Sequence, residues 1–345
     1  MTYICYFPQN LVRKVAFIKL VLVLAVLSLA KISDRHAEKF ARFRAGADEG
    51  PQPEKNVLYF PIGKVDDKGE LLIDYSKLDL EKDLPYTTLK FSKGKVYRSG
   101  AKITDTSFYL VPKDGFAALK TSLPLNATEI TCNFVSTMHL VGIYAQLGYG
   151  INAIKDINLA PSIAYILANY PKKVTWKYPG GEGDETETIS TQSCATYDPY
   201  YTHYAVHKGG FVAADCIANT GYPADISKCS QEGGKYDKYF EGYKEAFFTG
   251  NADTIKEALI KFGAVQLDDG DLVIGWEDSN WITVQELVEG DDEEEEYLYS
   301  YALGTTAIDT TKQDLEAFVY ASGFTAVRSA LGLIAAVLVL PALLL

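Results

Sequence analysis

Histidine is scarce in this sequence, basic residues are outnumbered by acidic ones, and closely spaced cysteine pairs are absent. Only four histidines occur in 345 residues, and none follows His207. The final 138 residues therefore contain no imidazole for acid–base work. Lys and Arg number 33 against 45 Asp and Glu, a formal charge of −12. Residues 1–30 carry Arg13, Lys14 and Lys19 and no acid, so the chain without them stands at −15. Such a surface repels phosphate backbones, and no nucleic-acid partner is expected. No CxxC spacing is present, which argues against zinc. The acidic run "DDEEEE" (Asp291–Glu296) lacks the alternation and the glycine of a calcium loop and reads as a solvated loop. No cofactor is implied, and no internal repeat is visible.

What is present bounds a globular protein: 48% hydrophobic and 12% aromatic residues suffice for one large core or two modest ones. The run "LVLVLAVLSLA" (20–30) behind Arg13, Lys14 and Lys19, with Ser28 and Ala30 at its end, reads as a secretory signal peptide. "ALGLIAAVLVLPALLL" (330–345) follows a small triplet, Ala321, Ser322 and Gly323, and the spacer "FTAVRS". That order is the one read for glycolipid attachment at Ala321 or Ser322, the alternative being a transmembrane helix. Both readings put the protein on a membrane at the cell surface. Beyond the leader, Cys132, Cys194, Cys216 and Cys229 remain, an even number suited to disulfides with three possible pairings. Asn126 in "NAT" is a glycosylation acceptor by rule.

Residues 31–56 are charged and end at a Gly and Pro cluster, as in a stalk or pro-region remnant. From 57 to 125, "NVLYFPIG", "LLIDYSKL", "KVYRSG" and "SFYLVP" read as strands and turns. Apolar residues at helical spacing predict buried helices over 134–148 and 159–170. A further helix is expected in "GGFVAADCIANTGY", closing at Gly221. "NADTIKEALIKFG" predicts a helix capped by Asp253 or Thr254, with Glu257 three residues after Thr254, and stopped by Gly263. The stretch "GAVQLDDGDLVIGWEDSNWITV" (263–284) then reads as three strands.

The order of these pieces resembles the papain-like cysteine peptidases. "ISTQSC" is similar to their LSEQ-x-LV-x-C segment and "HKGGFVAADCIANTGY" to their CNGG motif and its helix. "DTIKEALIKFGAVQL" is similar to IKxAL-xx-GPV, and "DLVIGWEDSNWI" to the HAVLIVGY and YWI strands. The match covers roughly 189–284, extending to 132 if "TCNFVST" (131–137) answers to CWAFST. The resemblance implies an α+β, papain-like fold, a helical half packed against a small antiparallel β-barrel half, preceded by a β-rich N-terminal region. The corresponding divisions are 1–30, 31–125, 126–320 and 321–345.

The resemblance also places a site. Cys132 falls at the nucleophile position, although about 60 residues separate it from "ISTQ", and the family's usual spacing would instead reach Asn158 to Ala160, where there is no cysteine. Asp269 falls where the family has its histidine, and Gln285 near its asparagine; NSWG is absent. A carboxylate raises a neighbouring thiol's pKa where an imidazolium lowers it, so Asp269 is no substitute. His139 reads as a packed helix residue, and His207, at the place of the CNGG cysteine, as a loop residue beside His203. The tyrosines of "YDPYYTHY" suggest a contact surface. The family bridge implies a Cys194–Cys229 disulfide, with Cys216 on the inner face of its helix. The expected function is a surface interaction protein, with a protein or peptide ligand, that has lost peptidase chemistry. The alternatives are a working thiol peptidase using Cys132 and a histidine from another loop, and an unrelated surface antigen.

Overall fold

A computed structural model describes residues 53–79, 85–94, 97, 100–179, 184–189, 193–195, 199–268, 270–291, 296–311 and 315–322. Strand β1 (Val57–Pro61) is apolar at consecutive rather than alternate positions, and its first four residues are all buried. The reason is its place in a sheet. It pairs with β4 (Tyr86–Lys90) on one edge and β8 (Lys244–Gly250) on the other, and both of its faces are covered. The sheet continues in the order β12 (Glu296–Ala307), β11 (Asn280–Asp291), β10 (Leu272–Glu277), β9 (Val265–Leu267), β13 (Leu315–Ala321), β8, β1, β4. Strand β5 (Ser107–Tyr109) lies beside the second half of β10. All of these pairings are antiparallel.

A smaller sheet runs β2 (Lys64–Val65), β3 (Glu70–Asp74), β6 (Lys173–Lys177), β7 (Glu185–Thr188), with β3 and β6 parallel. Between the strands come helices α1 (Ala127–Ile130), α2 (Asn133–Leu140), α3 (Ile143–Lys155), α4 (Ile163–Ala168), α5 (Thr202–Gly209) and α6 (Ala252–Phe262). Leu58 and Phe60 of β1, Ala246 and Phe248 of β8, and Ile255 and Leu259 of α6 belong to one continuous core.

The α+β class is as expected, but the large sheet is an open path with β12 and β4 at its ends, so the described residues form no closed barrel. Nor do the strands of 57–125 stand apart: β1 sits beside β8, and β5 beside β10, so the division expected at 125 does not interrupt the sheet. The helix expected over 134–148 is two helices, broken at Val141 and Gly142. Gly142 has φ +78°, and the Gln266 side chain donates to the freed Val141 carbonyl at 2.8 Å. The helix expected to close at Gly221 is absent. Phe211 and Ala213 instead bridge to Tyr239 and Pro161, and extended backbone cannot also be helical. Within the tyrosine-rich stretch, Tyr204 of α5 and Tyr201 just before it are buried and Tyr200 is half-buried, so the two buried rings serve the core and not a contact surface. Among the described residues no helix is long and apolar enough to cross a membrane. The leader, the 330–345 run and the stalk of 31–56 as far as residue 52 lie outside the described residues.

Candidate functional site

Asn126 opens the helical segment. Its side chain accepts from the backbone N–H groups of Thr128 and Glu129, while Glu129 reaches back to the Asn126 N–H, a reciprocal cap for α1. Asn126 itself is exposed. The chain then turns through Cys132, the N-cap of α2, whose Phe134, Val135 and Met138 are buried. Cys132 is 1% exposed and its sulfur is bonded to that of Cys194, with Cα atoms 4.8 Å apart. The Phe134 N–H donates to the Cys194 carbonyl at 3.2 Å, so backbone and sulfur hold the same contact. The second bridge joins Cys216 to Cys229, Cα atoms 4.4 Å apart, where the N–H groups of Ser230 and Gln231 both donate to the Cys216 carbonyl.

These bonds correct two expectations. Cys194 is joined to Cys132 and not to Cys229, because the 194 segment lies against the start of α2 while Cys229 folds back on the turn containing Cys216. Cys132 is accordingly no thiol. A disulfide sulfur cannot attack a carbonyl carbon, since the nucleophile is the thiolate.

His139 lies seven residues along the same helix from Cys132, a rise of about 10.5 Å at 1.5 Å per residue. It faces the sheet instead. Its Nδ1 is 2.6 Å from the Glu286 carboxylate of β11, and its ring stacks on that of Tyr301 of β12 at 3.9 Å and 9°. The Tyr301 hydroxyl donates to the His139 carbonyl at 2.6 Å. His139 thus brackets α2 to the β11–β12 hairpin. Gln285 precedes Glu286, so by strand alternation it faces the other side; it is exposed, with its side chain lying over Gly304. Asp269 is outside the described residues. Of the three positions that the resemblance suggests, Cys132 is in a disulfide and Gln285 is exposed on β11.

A second imidazole cluster was only partly signalled. His203 and His207 sit one turn apart on α5, a helix where the sequence pattern suggests a loop. His203 Nδ1 is 3.7 Å from the Glu245 carboxylate of β8, an ion-pair distance and not a hydrogen bond. Tyr320 of β13 stands directly across from Glu245. Burial pushes the Glu245 carboxyl up to about 7. Burial, then the charges of Lys244 and His207, pushes His203 down to about 3. Between those limits the pair carries one proton, whichever partner holds it. His203 Nε2, His207 Nδ1 and the Tyr320 hydroxyl are buried without hydrogen-bond partners. Two histidines at i and i+4 were the available signal; Glu245 and Tyr320 had none.

Chemically, the arrangement can hold and release a proton. It offers no sulfur nucleophile, since all four described cysteines are in disulfides. Among the described residues no group of three or more His, Cys, Asp and Glu could hold a metal ion. No family model, curated protein or solved structure matches the chain.

Proposed function

We propose that this chain is a secreted, surface-anchored binding protein on a scaffold that resembles the papain-like peptidases, and that it does not cleave peptides. The observation that carries this reading is the Cys132–Cys194 bond, which occupies the one sulfur at the nucleophile position of the resemblance. Reduction would free that sulfur without supplying a base, because His139 is about 10.5 Å further along the helix and is engaged with Glu286 and Tyr301. A thiol peptidase needs imidazole both to make the thiolate and to protonate the leaving amine.

Two disulfides point to an oxidising, secretory or extracellular setting. Asn126 is exposed, as a glycan acceptor has to be. Strand β13 ends at Ala321, which is buried, while Ser322 is exposed. Lipid attachment at Ser322 leaves the strand intact, so it is the favoured one of the two positions.

The test is incubation of purified protein with a broad fluorogenic peptide library, with and without reductant, from acid to neutral pH. No hydrolysis is expected. Hydrolysis that disappears in Cys132→Ala makes the protein an enzyme and overturns the reading.

A further inference from the structure

The β11–β12 hairpin outruns the sheet that supports it. Strand β10 pairs with β11 only as far as Leu272 opposite Val284, whereas β11 continues to Asp291 and stays paired with β12 throughout. Beyond Val284 the hairpin is therefore a two-stranded ribbon, a form that is marginal in water unless something else covers it. Its root is fastened by Glu286 on His139, and by the Leu125 N–H donating to the Tyr299 carbonyl at 2.9 Å. Past the root, Leu287 is 39% exposed, Val288 50% and Leu298 47%. Leu287 and Leu298 lie on one face by the register and Val288 on the other, so both faces present apolar area.

The register also shows which backbone groups are open. Tyr299 turns its carbonyl away from β11, toward Leu125. Its partner across the ladder is Val288. Residues opposite one another in an antiparallel pair point both inward or both outward, so the Val288 N–H and C=O face away from β12, on the side where β10 has ended. Among the described residues no backbone hydrogen bond continues along that side of β11 beyond Val284.

Charge identifies the kind of occupant. Between Lys261 and Lys312 the sequence contains no Lys, Arg or His, while Glu286, Glu289, Asp291 and Glu296 all fall within this hairpin. A second copy would bring like charges face to face, which disfavours pairing. We propose that the open edge of β11 between Glu286 and Asp291 docks an extended, basic peptide segment as an added strand. Main-chain hydrogen bonds to Val288 supply affinity, Leu287 and Val288 take alternate apolar side chains, and the net acidity of this cation-free stretch of sequence favours lysine or arginine. This inference rests on the binding-protein reading and names its partner class.

The probe is a fluorescein-labelled peptide of four Lys-Val repeats, titrated with the intact, disulfide-bonded protein at physiological salt and followed by anisotropy. Saturable binding is expected. Val288→Pro removes an outward N–H without touching the ladder to β12 and should weaken binding roughly tenfold or more. The same peptide with alternate backbone amides N-methylated keeps its charge and side chains, and should lose binding to the same degree. A Glu-Val peptide should not bind. Equal binding of the N-methylated peptide, or indifference to Val288→Pro, would reduce the interaction to bulk charge and overturn the proposal. So would a concentration-dependent dimer that Val288→Pro abolishes, since a second copy would then occupy the edge. Cleavage of the probe would instead sink the non-peptidase reading, whereas absence of both binding and cleavage sinks only this inference.

Discussion

Replacing both members of the Cys132–Cys194 bridge by alanine should destabilise the protein more than replacing both members of Cys216–Cys229. The bridges close loops with sequence separations of 62 and 13. The chain-entropy relation for a cross-link then gives about 4.3 kcal/mol for the first and about 3.0 kcal/mol for the second. Against a total stability of ~5–15 kcal/mol, either loss is large, and the first leaves a protein close to its unfolding threshold at 37 °C. The backbone bond from Phe134 to the Cys194 carbonyl survives the substitution, but a bond of this kind is worth only ~1 kcal/mol net and cannot restore the loop constraint. Urea unfolding of the oxidised wild type and the two double variants, followed by tryptophan fluorescence, reads the difference as a shift in midpoint at similar slope. The reasoning fails if Cys132→Ala/Cys194→Ala is the milder of the two. It fails equally if peptide mapping of the wild type finds Cys194 joined to Cys229.

Three further outcomes are expected. Glu245, raised to about 7 from 4.5, contributes stability that is full below pH 4.5 and lost as pH climbs through 7. His203, lowered to about 3 from 6.5, contributes stability present above pH 6.5 and lost as pH falls through 3. The two oppose each other between 4.5 and 6.5, so the wild type should be nearly flat there. Glu245→Gln should rise across that window by on the order of 2 kcal/mol, a figure discounted because the Glu245 side chain is 24% exposed; an unchanged melting profile from pH 4 to 8 would contradict it. Gly275→Ala places a methyl 2.2 Å from the Phe108 carbonyl, so β5 must separate from β10, and a loss of at least ~2 kcal/mol in chemical unfolding is expected. Tyr301→Phe removes the hydroxyl that binds the His139 carbonyl and should cost about 1 kcal/mol, whereas a neutral result would show that ring stacking alone holds the bracket.

The parts of the fold that could be read from sequence are those governed by local rules. Helix α6 forms where periodicity and capping residues agree, although the N-cap is Asn251, whose side chain accepts from the Thr254 N–H, and not Asp253 or Thr254. The strands of 263–284 fall as β9, β10 and the start of β11, and the Gly-Trp within β10 has a tertiary cause. Gly275 admits the β5 backbone, while Trp276 stacks on Phe108 and donates to the Asp105 carbonyl. What was illegible depends on distant segments. The break at Gly142 is satisfied by Gln266. The loss of a helix after Phe211 is enforced by bridges to Pro161 and Tyr239. The Cys132 partner is set by how the 194 segment folds onto α2, and the Glu245 cluster by register between β8 and β13. A linear pattern carries no trace of such pairings.

The position of β13 has a consequence for how the molecule is made. The last described strand does not sit at an edge; it fills the gap between β8 and β9, and β1, near the start of the described chain, waits on β8 for its second partner. As the polypeptide emerges from the ribosome, β1 and β4 can form a hairpin-like pair. The large sheet is nevertheless held in two pieces until residue 321 is out. Closing it sets β13 against β8 and β9, and the pairing of Tyr59 with Phe247 already spans more than half of the chain, the slow kind of contact formation, during which apolar strands remain unpaired. Synthesis of this protein should therefore lean on lumenal chaperones through its whole length, and a truncation that ends before Leu315 should leave an aggregation-prone chain even though every residue of α6 is present.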